Sequence, residues 1–137
     1  MAFQRTFEIA TRGRGTHEIT AQVAEVVASS GIRCGIAHVF VAHTSCSILV
    51  TENADPSVRR DLETLAQRWA PDADPSYRHD TEGPDDMAAH ARTALAGVSI
   101  SIPVTEGALF LGAWQGVFLW EHRVQPHVRT VCVTVLG

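Results

Sequence analysis

Apolar positions along this chain recur with two different periods, and the points where the period changes mark its elements. Residues 3 to 9, FQRTFEI, alternate closely enough for an opening strand, and GRG at 13 to 15 marks a turn. The next stretch, ITAQVAEVVASSG, places Ile19, Val23, Val26 and Val27 at helical spacing and is closed by Gly31. From Arg33 to Thr51 the segments IAHVFVAHT and CSILVT are rich in β-branched residues and form two strands or one long, bent one. Asp55 and Pro56 then supply an acidic cap and a proline at the first helical position. They lead into SVRRDLETLAQRWA, whose apolar stripe is Val58, Leu62, Leu65 and Trp69. APDADPSYRHDTEG is loop-like, after which Gly83 and Pro84 open a third helix, DDMAAHARTALAG, closed by Gly97.

The remainder is strand-dominated. VSISIPV puts Val98, Ile100, Ile102 and Val104 on one face, and GVFLW and VRTVCVTVL follow. The strand around GVFLW has Trp114, Phe118 and Trp120 on one side and Val117 and Leu119 on the other, so both of its faces are expected to be buried. The pattern predicts an α+β domain of mostly antiparallel strands linked chiefly by hairpins, with about three helices packed to one side.

Composition narrows the picture. The 137 residues, 45% hydrophobic, suit a single domain spanning 1–137. No apolar run reaches the length of a membrane span, and the N-terminal segment lacks a secretory pattern, so a cytoplasmic protein with no membrane partner is expected. Three cysteines with no CxxC pair suggest neither a disulfide framework nor a thiolate zinc site. The formal charge of −4 and the absence of a basic stripe argue against a nucleic-acid partner. All eleven basic residues are arginine, which excludes lysine Schiff-base chemistry and a P-loop.

The polar residues gather in three clusters: His43 to Asp55, His79 to His90, and Glu121-His122-Arg123. In the first, strand parity sends His43 and Ser45 one way and Cys46, Ile48 and Val50 the other, which disfavours a Cys46–His43 nucleophile pair. Asp55 is explained by capping alone. Asp85 and Asp86 suit the first turn of a helix, yet with Asp80 and Glu82 they exceed what capping requires and call for a metal ion or an arginine among them. Asp86 and His90 are four apart on one helix face, and with His79 they could offer two imidazoles and a carboxylate to a divalent ion, or else form a solvent-facing pair. Arg123 ends a buried strand, as an ordinary strand end or as an anion clamp.

Taken together, HTSCSILVTENADPSVRRDLE, HDTEGPDDMAAHARTALAG, IPVTEG and GAWQGVFLWEHR resemble the YjbQ family, described as secondary thiamine-phosphate synthases. The resemblance covers nearly the whole chain. It implies a YjbQ-like β-sandwich of two sheets, assembled as a homotrimer. It also implies a secondary activity joining hydroxymethylpyrimidine diphosphate to thiazole phosphate, beside an unsettled primary role. A small residue such as alanine is common in the family at position 46, so the thiol is not required. On the matched positions the expected catalytic residues are His43, Asp55, Asp86, Glu121 and Arg123. Asn53, Glu82, Asp85, Trp114 and Gln115 are expected to bind a small, phosphorylated substrate, and His79, His90 and His122 to hold a divalent zinc or magnesium ion. Imidazole ligands favour zinc, whereas pyrophosphate departure suits magnesium. The alternatives are a metal-assisted hydrolase of a small substrate and a non-catalytic trimeric binder of an anion or metabolite.

Overall fold

The computed structural model describes residues 1–137 as three helices and eight strands in two antiparallel sheets. Strand β1 (Ala2–Ala10) opens the chain, and β2 (Gly15–Glu18) follows the Gly-rich turn. Helix α1 (Thr20–Ser30) buries Val23, Val26 and Val27 and ends on Gly31, whose φ of 69° is the left-handed conformation glycine adopts without strain. Strands β3 (Cys34–Val41) and β4 (Cys46–Glu52) come next, then α2 (Pro56–Trp69) and α3 (Asp86–Ala96). Strands β5 (Ser99–Thr105), β6 (Ala108–Leu109), β7 (Gln115–Glu121) and β8 (Val128–Leu136) complete the chain.

The larger sheet has the order β1-β8-β3-β5-β6 and the smaller β2-β7-β4. Of the expected hairpins only β5–β6 forms, because β1 to β2, β3 to β4 and β7 to β8 each cross from one sheet to the other. Residue periodicity shows which side chains share a face but not which sheet the next strand joins, and here the core is built by crossing. It lies between the sheets, from Val39 and Val41 of β3, Ile102 and Val104 of β5, Val131, Val133 and Val135 of β8, Ile48 of β4, and Val117 and Leu119 of β7. Helix α1 closes the side of this sandwich against β1, β8 and β7, while α2 and α3 lie against the smaller sheet. Only two of the three helices therefore share a side.

Two aromatic expectations fail for the same reason. Trp69 ends α2 beyond the sheet it covers and is 56% exposed, and Trp114 precedes the first residue of β7 and is 66% exposed. Ile36, Phe40, Val128 and Leu136 are also exposed, on the outer face of the larger sheet, which no helix covers. No helix is long and apolar enough to cross a membrane.

At one end the inter-sheet layer turns polar. Glu121, in phase with Val117 and Leu119, meets Arg129, in phase with Val131 and Val133, and both are buried. Arg129 Nε donates to Glu121 Oε1 at 2.8 Å and Nη2 to Oε2. Thr11 Oγ1 and the backbone N–H groups of His122 and Arg123 also donate to this carboxylate. Burial pushes the Glu121 carboxyl up, but Arg129 and Thr11 outweigh it and hold it below the ordinary glutamate value. Removing one partner strands the other charge without water, so Glu121→Gln or Arg129→Met is expected to cost about 3–5 kcal/mol. The double variant should lose less than the sum of the two, and urea unfolding of all three checks this.

Candidate metal centre beside a buried ion pair

The structure brings the second and third clusters together. Asp85 stands at the N-cap position of α3 without a side-chain cap bond and Asp86 opens the helix, while Arg123 follows β7 and faces both. Arg123 Nε donates to Asp85 Oδ2 at 3.0 Å, Nη1 lies 2.8 Å from Asp86 Oδ1, and Nη2 donates to the Glu82 carbonyl at 2.9 Å. Asp85 Oδ2 also accepts the Val124 N–H at 2.8 Å. Burial pushes both carboxyls up. For Asp85 the Val124 N–H and Arg123 reverse this, and for Asp86 the bond from His79 and the charge of Arg123 do, so both sit below the ordinary aspartate value. Each nitrogen of Arg123 has a protein acceptor, so its work here is to orient Asp86.

With Oδ1 held by Arg123, Asp86 turns Oδ2 toward two imidazoles. His79 Nε2 lies 2.7 Å away and His90 Nε2 3.2 Å away, and Glu82 Oε2 is 3.0 Å from His79 Nε2. The ligand atoms of His79, Asp86 and His90 lie within 4.8 Å of one another. Around a tetrahedral zinc ion with bonds near 2.0–2.1 Å, ligand atoms stand about 3.3 Å apart. The separations from Asp86 Oδ2, 2.7 and 3.2 Å, fall just short of that value, so the donor set fits an ion after small movements. The other nitrogen of His90, Nδ1, is 3.2 Å from the Thr44 carbonyl, the kind of contact that fixes tautomer and ring plane in metal-binding histidines.

The remaining candidates divide. His43 lies at the same end of the molecule, where Nε2 accepts the Thr130 N–H at 2.8 Å. That bond leaves any hydrogen of the neutral ring on Nδ1, so the 3.4 Å approach of Arg129 Nη1 to Nδ1 is a contact rather than a hydrogen bond. Burial, then the Arg129 charge, lowers the His43 pKa. His122 is separate from the other two histidines. It is fully buried on the helix-covered side of the smaller sheet, with Nε2 2.7 Å from Ser47 Oγ and no partner for Nδ1. Asn53, Asp55, Trp114 and Gln115 gather at the opposite end of β4 and β7. Asn53 N donates to the Trp114 carbonyl, and Asp55 Oδ1 caps α2 through the Ser57 N–H. Since Glu52 pairs with Gln115 and Cys46 with Glu121, the two groups lie roughly 20 Å apart, six residues along a strand. Cys46 is in the core, where burial drives its thiol up to about 12.

Arg129 was missed. Its signal was parity, since in VRTVCVTVL it falls on the face of Val131, Val133 and Val135, where an arginine demands a buried acid.

A two-sheet α+β sandwich with a histidine- and carboxylate-lined centre at one end of its smaller sheet defines the class of protein. The chain belongs to the YjbQ family: the model described as UPF0047 protein YjbQ-like matches residues 5–137. It is 48% identical to UPF0047 protein sll1880 of Synechocystis over 98% of this chain and 91% of that protein. It is 38% identical to YjbQ of Salmonella typhimurium over 100% and 99% of the respective chains. Its fold is similar to the crystal structure of a YbjQ-like protein of unknown function from Sulfolobus solfataricus, with TM-score 0.91, 28% identity, and coverage of 100% and 98%. It is also similar to a conserved hypothetical protein of Thermus thermophilus, with TM-score 0.85, 37% identity, and coverage of 96% and 99%.

His122 carries a pH signature. Burial, reinforced by Arg92, Arg14 and Arg129, drives its imidazole down to about 3. Between about 6.5 and 3 the unfolded chain therefore binds a proton that the folded chain refuses, and stability falls as pH is lowered, by up to about 1.4 kcal/mol per unit. His122→Gln, which keeps a partner for Ser47, should flatten this slope in urea unfolding across the window. An unchanged slope would assign it to other groups.

Proposed function

We propose that the chain is a divalent-metal enzyme acting on a small molecule, with the ion held by His79, Asp86 and His90. The observation that carries this reading is the convergence of His79, Asp86 and His90, whose ligand atoms all lie within 4.8 Å of one another. Nδ1 of His90 faces the Thr44 carbonyl at 3.2 Å and its Nε2 faces Asp86 Oδ2 at 3.2 Å. With oxygens at both nitrogens, the ring is satisfied either by a second proton or by a cation between Nε2 and Asp86, and the metal titration below separates the two. The His79 side agrees, since its single Nε2 faces oxygens of both Asp86 and Glu82. Two imidazoles and one carboxylate favour zinc or another borderline ion over magnesium.

A divalent ion held by three protein ligands supplies Lewis acidity at an open coordination position. Around it the chain supplies the rest. Arg123 keeps Asp86 turned inward, the Thr44 carbonyl keeps His90 in one tautomer, and the exposed Glu82 carboxylate stands where it can take a proton at Oε2. These features support metal-assisted hydrolysis best. The thiamine-phosphate synthase activity implied by the family resemblance is retained as a side activity, because the arginine nearest the centre is fully engaged with Asp85, Asp86 and the Glu82 carbonyl.

The reading also takes the chain as a homotrimer. In support, the larger sheet leaves Ile36, Phe40, Val128 and Leu136 exposed on one face. Asn53, Trp114 and Gln115, at the far end of β4 and β7, could join the centre only if supplied by a neighbouring subunit.

Chelation followed by reconstitution with zinc should give one ion per chain. His79→Ala or His90→Ala should weaken binding by about a hundredfold or more with the fold intact by circular dichroism. Absence of stoichiometric metal would remove the metal-centred reading. Light scattering should return three times the chain mass, and Phe40→Asp should lower it; a monomeric mass for the parent would overturn the assembly.

A further inference from the structure

Beside His79 lies a cavity of about 390 Å³, walled by Pro75, Tyr77, Pro84 and Met87 and carrying the carboxylates Asp74 and Asp80. The loop that forms it is tied shut. The Ala73 N–H donates to the Pro84 carbonyl at 2.9 Å and joins its two ends, and Tyr77 Oη donates to the Pro71 carbonyl at 3.0 Å and fixes the ring. Asp74 Oδ1 accepts the Ser76 N–H and hydroxyl, which positions that carboxylate. The walls therefore exist before any ligand arrives.

The charge of this hollow is one-sided. Asp74 and Asp80 line it and Glu82 stands at its edge against His79, while no arginine lines it. Arg123 is turned to Asp85, Asp86 and the Glu82 carbonyl, and Arg78, between the lining residues Tyr77 and His79 in the chain, is exposed and not among the lining residues. A phosphate entering here would meet two carboxylates and no donor fork among the lining residues, so it would lose hydration against like charge. A flat organic cation would place its apolar body between Tyr77 and Met87 and its charge against Asp74 and Asp80.

We propose that the cavity beside His79 is the substrate pocket of this centre and that it selects a flat, positively charged amine or amidine rather than a phosphorylated compound. This rests on His79 belonging to the functional centre, but the charge preference belongs to the cavity and can be measured without metal. The probes are benzylammonium, benzyl alcohol and benzyl phosphate, titrated into the metal-free protein with NMR shifts read at Tyr77 and at the Met87 methyl. Benzylammonium should bind tightest and benzyl phosphate weakest. The double variant Asp74→Asn/Asp80→Asn, which preserves the Ser76 bonds, should weaken benzylammonium by about three- to tenfold and leave benzyl alcohol unchanged. Equal or tighter binding of benzyl phosphate, shifts located elsewhere, or no binding of any probe would overturn the proposal. Zinc titration of the same sample is read separately, so failure of the metal reading and failure of the pocket reading give different results.

Discussion

The bond between Glu121 and Arg129 is the constraint on which the rest of the architecture hangs. A sandwich assembled by strands that cross between sheets has a problem at the crossings, because the chain must leave one ladder before it enters the other and its backbone groups lose their partners. Here three crossings meet at one end of the core. Thr11 lies on the first, Ser45 on the second, and His122 and Arg123 on the third. Thr11 Oγ1 and the N–H groups of 122 and 123 donate to Glu121, and Arg129 Nη2 donates to Ser45 Oγ at 2.9 Å. One buried ion pair thus ties three chain reversals that would otherwise carry unsatisfied groups. An apolar pair of the same volume could fill the space but could not accept or donate those bonds.

The candidate centre is suspended from two of these crossings. Thr44, beside Ser45, offers the carbonyl that orients His90, and Arg123, two residues beyond Glu121, holds Asp85 and Asp86 at the start of α3. The geometry around Asp86 is therefore set from the core outward, and the α3 side chains take their positions from the ends of two strands. His43 belongs to the same construction, since its ring accepts the Thr130 N–H beside Arg129 and pins the crossing from the larger sheet.

Periodicity made most elements visible. The helical spacing of Val23, Val26 and Val27, the Asp55-Pro56 cap and the alternation of Ile102 and Val104 all return as buried faces or helix ends. What periodicity does not encode is partnership beyond the strand. It could not tell hairpins from crossings, nor that Trp69 and Trp114 fall just outside the surfaces that would bury them. In the centre, the four-residue spacing of Asp86 and His90 was legible, and strand parity rightly turned Cys46 toward the core. That Arg123 would reach across to α3, while Asn53 and Asp55 would stay at the other end of the strand, depended on which end of β4 each occupied, and that is a property of the sheet rather than of any local pattern.

The absence of lysine gives the charge distribution its meaning. A chain with only arginine for cations has planar, multi-donor groups suited to fixed bonds rather than mobile point charges. Around the centre they are used in that way. Arg129 is bound to Glu121, Arg123 to Asp85 and Asp86, Arg92 to Glu63 and the Ala70 carbonyl, and Arg14 to Asp72 through two bonds. Each of these guanidinium groups is part of the framework, and moving one toward a ligand would leave an acid unpaired. The negative charge of Asp80 and Glu82, by contrast, sits on exposed residues, and that of Asp74 on a half-buried one, beside the cavity. With these four guanidinium groups committed and the carboxylates beside the cavity left open, the charge allocation is the one that the proposed readings, a metal ion at Asp86 and a cationic substrate beside it, require.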